Sequence, residues 1–417
     1  MIHPNEKPCL VQGKIRFPAL ALGLVFLFSP VSADTKPFQT ELDFKLKSLV
    51  RHGSVLIADK KDILYRYPAE ANPMLVPASV LKIATALAAL HYLGPEFRYR
   101  TDFYLAENHI LGIRGHGDPF LVSEEWQIIA QKLGQLSGLP KQLGGVFFDT
   151  SVFSSNIKIP GIKFSTNPYD ALNGALVINF NTVFLKIDSK GFVTSAEKQT
   201  PITPLVKHLA KNLSAGKHRI SIPANSGITY AGELVHAFLA QAGFSFDSEN
   251  ITLRPLISED SLIYIHKNSA SLTDLITGMM RYSNNFTANQ LFLTIGIQRY
   301  GEPATLEKGR RALEEYLGDE LGIPDQQFNV VEGSGISRKN RLTPEAIWQM
   351  LKAFSEQKNL LHGDKGILYK TGTLHGVSTL AGYLPGSKPR YFVILLNQPK
   401  NRRNEILKLL LATDFTG

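Results

Sequence analysis

Ser79 and Lys82 stand three residues apart at the start of the run ASVLKIATALAALHYLG. On a helix this spacing puts both side chains on one face, one turn apart. An amine there can take the hydroxyl proton if burial or a neighbouring cation lowers its pKa. The helix N-terminus adds free N–H groups and partial positive charge, which suit an oxyanion. The spacing alone is common, recurring at Ser155, Ser195, Ser214 and Ser355. Taken by themselves, Ser79 would be a helix-start serine and Lys82 a snorkelling side chain. Ser283-Asn284-Asn285 is one of four Ser-x-Asn triplets and lies where two helical runs meet, a place that a helix cap also explains. Lys370-Thr371-Gly372 occurs once, on a predicted strand. Gly372 would permit close backbone approach there, and Lys370 and Thr371 could hold a carboxylate.

These residues need elements to hold them. The Ala- and Leu-rich run behind Ser79, entered at Pro77 and stopped by Gly94-Pro95, predicts a helix that is apolar on most sides and therefore central. Residues 54–67 read as a hairpin around an Asp59–Asp62 turn. From about 97 to 261 short β-prone runs, such as ALVINFNTVFLKI at 175–187, alternate with Gly, Pro, Asn and Ser turns, with a helix near 124–136. Helical patterns return from Ser271, and the chain ends strand, strand, strand, helix in GILYKTGTL, STLAGYLPG, RYFVILLNQ and NEILKLLLAT. Strands joined by short turns imply an antiparallel sheet, with helices on its faces.

Ser-x-x-Lys on a helix, Ser-x-Asn at a helix junction and Lys-Thr-Gly on a late strand, in that order, form the motif set of penicillin-recognising serine enzymes. The blocks PASVLKIATALAAL, LITGMMRYSNNFTANQLF, VVEGSGISRKNRLTP and LYKTGTLHGVSTLAGYL resemble the D-alanyl-D-alanine carboxypeptidase/endopeptidase family, the class C low-molecular-mass penicillin-binding proteins. The 204 positions from Ser79 to Ser283 leave room for the extra domain that this family carries there. The resemblance implies an α/β (α+β) fold. A β-lactamase/transpeptidase-like domain of 34–96 plus 262–417, an antiparallel sheet flanked by helices, is interrupted by an inserted β-rich domain of 97–261. It also implies roles. Ser79 is the nucleophile, Lys82 its base and Ser283 the proton relay. Asn285 holds the substrate amide, Lys370, Thr371 and Gly372 cradle its carboxylate, and the Thr373 and Ser79 N–H groups form the oxyanion hole. No cofactor or metal is implied. Two features depart from the family pattern and bear on substrate preference and activity level: Glu332 stands where Asp is expected, and only 35 positions separate Gly335 from Lys370.

The implied activity is a serine-type D-Ala-D-Ala carboxypeptidase or DD-endopeptidase working on peptidoglycan peptide stems, with β-lactams as covalent inhibitors. A serine β-lactamase or esterase on the same scaffold, and a non-catalytic murein-binding protein, are the alternatives. Asp170-Ala-Leu-Asn173 precedes Ser283 and reads as chance or as a structural Asn. Gly333-Ser334-Gly335 reads as a tight turn near the site, and His375 as a surface residue. The eleven His residues lack metal-ligand spacing.

Composition fits an exported globular protein. The chain has 417 residues, 44% hydrophobic and 19% charged, too apolar for disorder and long enough for two or three domains. One Cys excludes an intramolecular disulfide framework. Lys7, Lys14 and Arg16, the apolar run Phe17–Phe28 and the small residues up to Ala33 have the order of a cleaved signal peptide over 1–33. Twelve apolar residues would span about 18 Å of a hydrocarbon core of about 30 Å. Export, to the periplasm, follows. The net charge of +9 suits an anionic partner, such as a membrane surface or cell-wall polymer in peripheral association. No basic run interleaved with aromatics points to nucleic acid.

Overall fold

A computed structural model describes residues 37–162, 167–386 and 389–415; the predicted signal segment lies outside them. Its main sheet has six antiparallel strands in the order His362–Asp364, Ile367–Leu374, Val377–Leu384, Arg390–Leu396, Gly53–Ala58 and Ile63–Tyr67. The predicted hairpin near the N-terminus and the predicted strands near the C-terminus thus share one sheet, with Gly53 facing Leu396 and Ala58 facing Tyr391.

Both faces of this sheet are covered, which is why its central strands read as unbroken apolar runs. Val55, Ile57, Phe392 and Ile394 face one way, onto Leu42 and Leu46 of the helix Pro37–Leu49 and Ile406 and Leu410 of the helix Arg403–Ala412. Leu56, Ala58, Val393 and Leu395 face the other way, onto the larger core. At its centre lies the helix Lys82–Leu93, buried from Lys82 through Ala89 as its composition predicts and ended at Gly94, whose φ is 84°. Helices Leu272–Tyr282, Asn285–Tyr300 and Pro344–Ala353 pack around it.

The stretch between these parts has its own apolar centre, in which Phe103, Trp126, Phe148, Leu185, Tyr230 and Phe238 are buried. A five-stranded mixed sheet runs in the order Ile251–Leu253, Gly145–Asp149, Ile110–Gly115, Arg100–Leu105, Ser261–Lys267, and a three-stranded antiparallel sheet centres on Thr182–Ile187. Helices Ser123–Gln135 and Gly227–Gln241 pack on them. The apolar run 175–187 becomes a strand only from Thr182. Asn179, Phe180 and Asn181 all have φ near +50°, a turn that the β-prone composition hides. Val152 and Phe153 leave this unit and pack into the larger core, where Phe153 bridges to Ala304.

Candidate active site

The six-stranded sheet and the buried helix meet at Ser79. It lies in the 3-10 turn Ala78–Leu81, one turn ahead of the helix Lys82–Leu93, and is half-buried. Two glycines let neighbouring backbones close on it. Gly335 has a φ of +82°, and a Cβ there would stand 1.9 Å from the Ala78 carbonyl oxygen. A Cβ on Gly372 would lie 2.2 Å from Thr379 Oγ1 and 2.9 Å from the Ser79 nitrogen. Ser79 is therefore held between the Gly333–Gly335 turn and the Lys370–Thr373 strand. Ala78 itself has a φ of 47°, costly for a residue with a side chain. Thr379 Oγ1 fastens the segment to the sheet by donating to the Pro77 carbonyl at 2.8 Å.

Lys82 is fully buried, and its Nζ has three partners: Ser334 O at 2.6 Å, Asn285 Oδ1 at 2.7 Å and Ser79 Oγ at 3.1 Å. The first two are pure acceptors. The amide of Asn285 cannot be turned round, because its Nδ2 donates to Asp170 Oδ1 at 3.1 Å. A neutral amine has two N–H bonds and one lone pair. With both hydrogens taken by Ser334 O and Asn285 Oδ1, the lone pair points at the Ser79 hydroxyl. Burial, with the charge of Lys370 added, holds the Lys82 pKa well below that of an ordinary lysine, while Glu332 and Asp170 pull it back in part.

Across the cleft, Lys370 is almost wholly buried, and burial aided by the positive charge of Arg403 brings its pKa down to about 8. Its Nζ donates to Ser283 Oγ and to Thr371 O, both at 3.0 Å. Ser283 caps the helix Leu272–Tyr282 in the left-handed region with a φ of 54°, and the next helix starts at Asn285, capped by the Asn284 side chain. The junction therefore serves as a helix cap and also turns the Ser283 hydroxyl and the Asn285 amide to opposite lysines. Accepting from Lys370 leaves the Ser283 hydroxyl proton free to donate.

The structure thus brings Ser79, Lys82, Ser283 and Asn285 together with the strand that bears Lys370, Thr371, Gly372 and Thr373. His375 is exposed, as read from the sequence, and its carbonyl accepts from Arg338. Three residues at the site were given no role in it by the sequence. Glu332 is fully buried and takes hydrogen bonds from Ser334 N (2.7 Å), Ser334 Oγ (2.6 Å), Ser337 N (3.1 Å) and Asn340 Nδ2 (2.5 Å). It thereby holds the turn that offers Ser334 O to Lys82. Asp170, set aside as chance, is carried to Asn285 by the inserted stretch. Its partner Asn173 donates to Phe286 O at 3.0 Å and Gln290 Oε1 at 2.9 Å on the same helix. The Asp-x-x-Asn spacing was the available signal. Arg403, on the last helix, reaches the strand beside Lys370 and carries no motif.

Residues 50–205 and 209–366, well over half of the chain, match the model of the D-Ala-D-Ala carboxypeptidase 3 (S13) family. The D-alanyl-D-alanine carboxypeptidase DacB of Haemophilus influenzae is 24% identical over 76% of this chain and 79% of its own length. The D-alanyl-D-alanine carboxypeptidase of an Actinomadura species is 24% identical over 88% and 83%. In fold the chain is similar to the crystal structure of penicillin binding protein 4 (dacB) from Haemophilus influenzae, with a TM-score of 0.71, 21% identity and coverage of 88% of this chain and 97% of that one. No helix among the described residues is long and apolar enough to cross a membrane. The chain belongs to the D-Ala-D-Ala carboxypeptidase 3 (S13) family and is a peptidase of that class.

Proposed function

We propose that the protein is an exported serine carboxypeptidase that removes the terminal D-Ala from peptidoglycan stem peptides through an acyl-enzyme on Ser79. The observation that carries this reading is the Lys82 amine, buried, with two acceptors for its N–H bonds and its lone pair on the Ser79 hydroxyl. Ser79 Oγ attacks the carbonyl carbon of the penultimate D-Ala while its proton passes to Lys82 Nζ. The oxyanion is held by the N–H groups of Ser79 and Thr373. Collapse breaks the peptide bond, and the leaving D-Ala amine takes a proton through the Ser283 hydroxyl. Water then attacks the ester, freeing the shortened peptide and restoring Ser79. Asn285 holds the substrate amide, and Lys370, Thr371 and Gly372 cradle the terminal carboxylate. The same steps on a cross-linking peptide bond would be endopeptidase action.

The division into a catalytic domain of 34–96 plus 262–417 and an inserted unit of 97–261 is supported by the separate apolar centre of the latter, save that the strand Ser261–Lys267 pairs with Arg100–Leu105 and carries the inserted unit on to residue 267. The basic and then apolar start of the chain supports export to the periplasm, and the net charge, +9 for the whole sequence and about +7 once residues 1–33 are removed, supports peripheral attachment to wall or membrane.

The test is labelling of the purified protein by a fluorescent penicillin, wild type beside Ser79→Ala, chased over hours, together with analysis of peptides cut from D-Ala-D-Ala stems. A lasting label on wild type alone, with release of D-Ala, is the expected result. Rapid loss of label would make the protein a β-lactamase. Absence of label and of cleavage would leave a non-catalytic binding protein.

A further inference from the structure

Arg403 opens the helix Arg403–Ala412, yet its side chain reaches across two strands of the main sheet. Its Nη1 donates to the carbonyl oxygens of Gly372 at 2.9 Å and Thr379 at 3.3 Å, residues that face each other in the sheet, and to Thr373 Oγ1 at 2.9 Å. Arg402 beside it pairs with Glu405, whereas Arg403 forms no ion pair among the described residues. Its Nε is buried without a hydrogen-bond partner. A half-buried guanidinium without a carboxylate, fixed to the strand that follows Lys370, leaves positive charge uncompensated at that place.

The hydroxyl of Thr373 responds to this contact. A threonine hydroxyl has one proton and two lone pairs. Because Arg403 can only donate, it occupies a lone pair of Thr373 Oγ1, and the hydroxyl proton must point elsewhere. Thr373 is exposed on the cleft strand, so that proton is available to a ligand. We propose that Arg403 is the positioning residue that makes the site select a free C-terminal carboxylate, by orienting the Thr373 hydroxyl as a donor and backing it with unpaired positive charge. This rests on the reading of the Lys370–Thr373 strand as the carboxylate cradle. Arg403 acts through Thr373 and does not take part in bond making.

The experiment compares two peptides ending in D-Ala-D-Ala, one with a free carboxylate and one with a C-terminal amide, on the full-length wild type, Arg403→Met, Arg403→Lys, Thr373→Val and the Met/Val double variant. In Arg403→Met the preference for the acid, as a ratio of kcat/KM values, should fall by at least about tenfold, the worth of one hydrogen bond to a charged group. The fall should come through KM, with turnover of the amide little changed and part of the preference restored in Arg403→Lys. On the Thr373→Val background, Arg403→Met should add little further loss. An equal fall for both peptides would show a structural role only and overturn the inference, as would an unchanged ratio. If Arg403→Met does not fold, Arg403→Lys and Thr373→Val decide by the same ratio. Failure of the underlying reading looks different: wild type would then take no penicillin label and cut neither peptide, and this inference would fall with it.

Discussion

Two lysines face each other across the cleft, and the proposed mechanism needs them in opposite charge states. There Lys82 is to work as a neutral base, and burial together with the Lys370 charge lowers the pH at which it becomes neutral. Lys370 is to work as a cation, and it keeps its charge only below about pH 8. Acylation by penicillin, which bears a carboxylate, should therefore rise with pH as Lys82 loses its proton and fall again as the pH passes about 8. The second-order labelling rate measured between about pH 5 and 10 checks this. A rate that continues to rise to the alkaline end would remove Lys370 from the carboxylate cradle. At this scale the sequence was readable where chemistry is local. Ser79 and Lys82 are one helical turn apart, and Ser283 and Asn285 flank one helix junction, so their spacing carried the signal. Asp170, Glu332 and Arg403 act on side chains between 2 and 115 positions away, through contacts that only the folded chain creates.

Elements place these residues by close approach of backbones. Gly335→Ala must fit a Cβ 1.9 Å from the Ala78 carbonyl oxygen at a positive φ, so the Ala78–Leu81 turn or the Ser334 turn has to move. Displacing a nucleophile by about 1 Å costs on the order of 100-fold in rate, and the left-handed conformation adds about 1–2 kcal/mol of instability. Penicillin labelling kinetics beside a urea titration would separate the two effects. A variant that acylates at the wild-type rate would show that the turn does not set the place of Ser79. Most elements were legible. The helix behind Ser79 and the strands at 367–374, 377–384 and 390–396 announce themselves by composition and period. The turn at 179–181 did not, since its three left-handed residues include Phe180, a type that rarely adopts that conformation. Its ring meets Phe286, beside Asn285, at 5.6 Å, so a tertiary contact accompanies what local preference resists.

At the scale of the molecule, the two apolar centres are joined by a polar seam. Asn268 follows the last strand of the five-stranded sheet. Its Nδ2 donates to Asp118 Oδ2 at 2.8 Å and Phe120 O at 3.0 Å, and its Oδ1 accepts from Ala270 N at 2.8 Å. Asp118 is buried, and that burial raises its pKa to about 6. Asn268→Ala would strip three hydrogen bonds from this seam and leave Asp118 with the Phe120 amide at 2.8 Å. A loss of about 2–3 kcal/mol in unfolding free energy is expected at neutral pH, to be read from chemical denaturation. A change within about 0.5 kcal/mol would mean that water replaces the lost bonds.

In the six-stranded sheet Gly53–Ala58 pairs with Arg390–Leu396, more than 300 positions later. Closing so long a loop is slow compared with forming a helix or a hairpin. Until the early part of the chain joins the late part, Ser79 has no Lys370–Thr373 strand beside it, and Gly372 has no Ser79 backbone to close on. On the proposed chemistry, a newly made chain would therefore stay silent through nearly all of its synthesis and gain reactivity toward penicillin only when Ser79 meets the Lys370 strand. A penicillin label would then be a timestamp as well as an active-site probe: it would mark the moment at which the early and late parts of an individual molecule have come together.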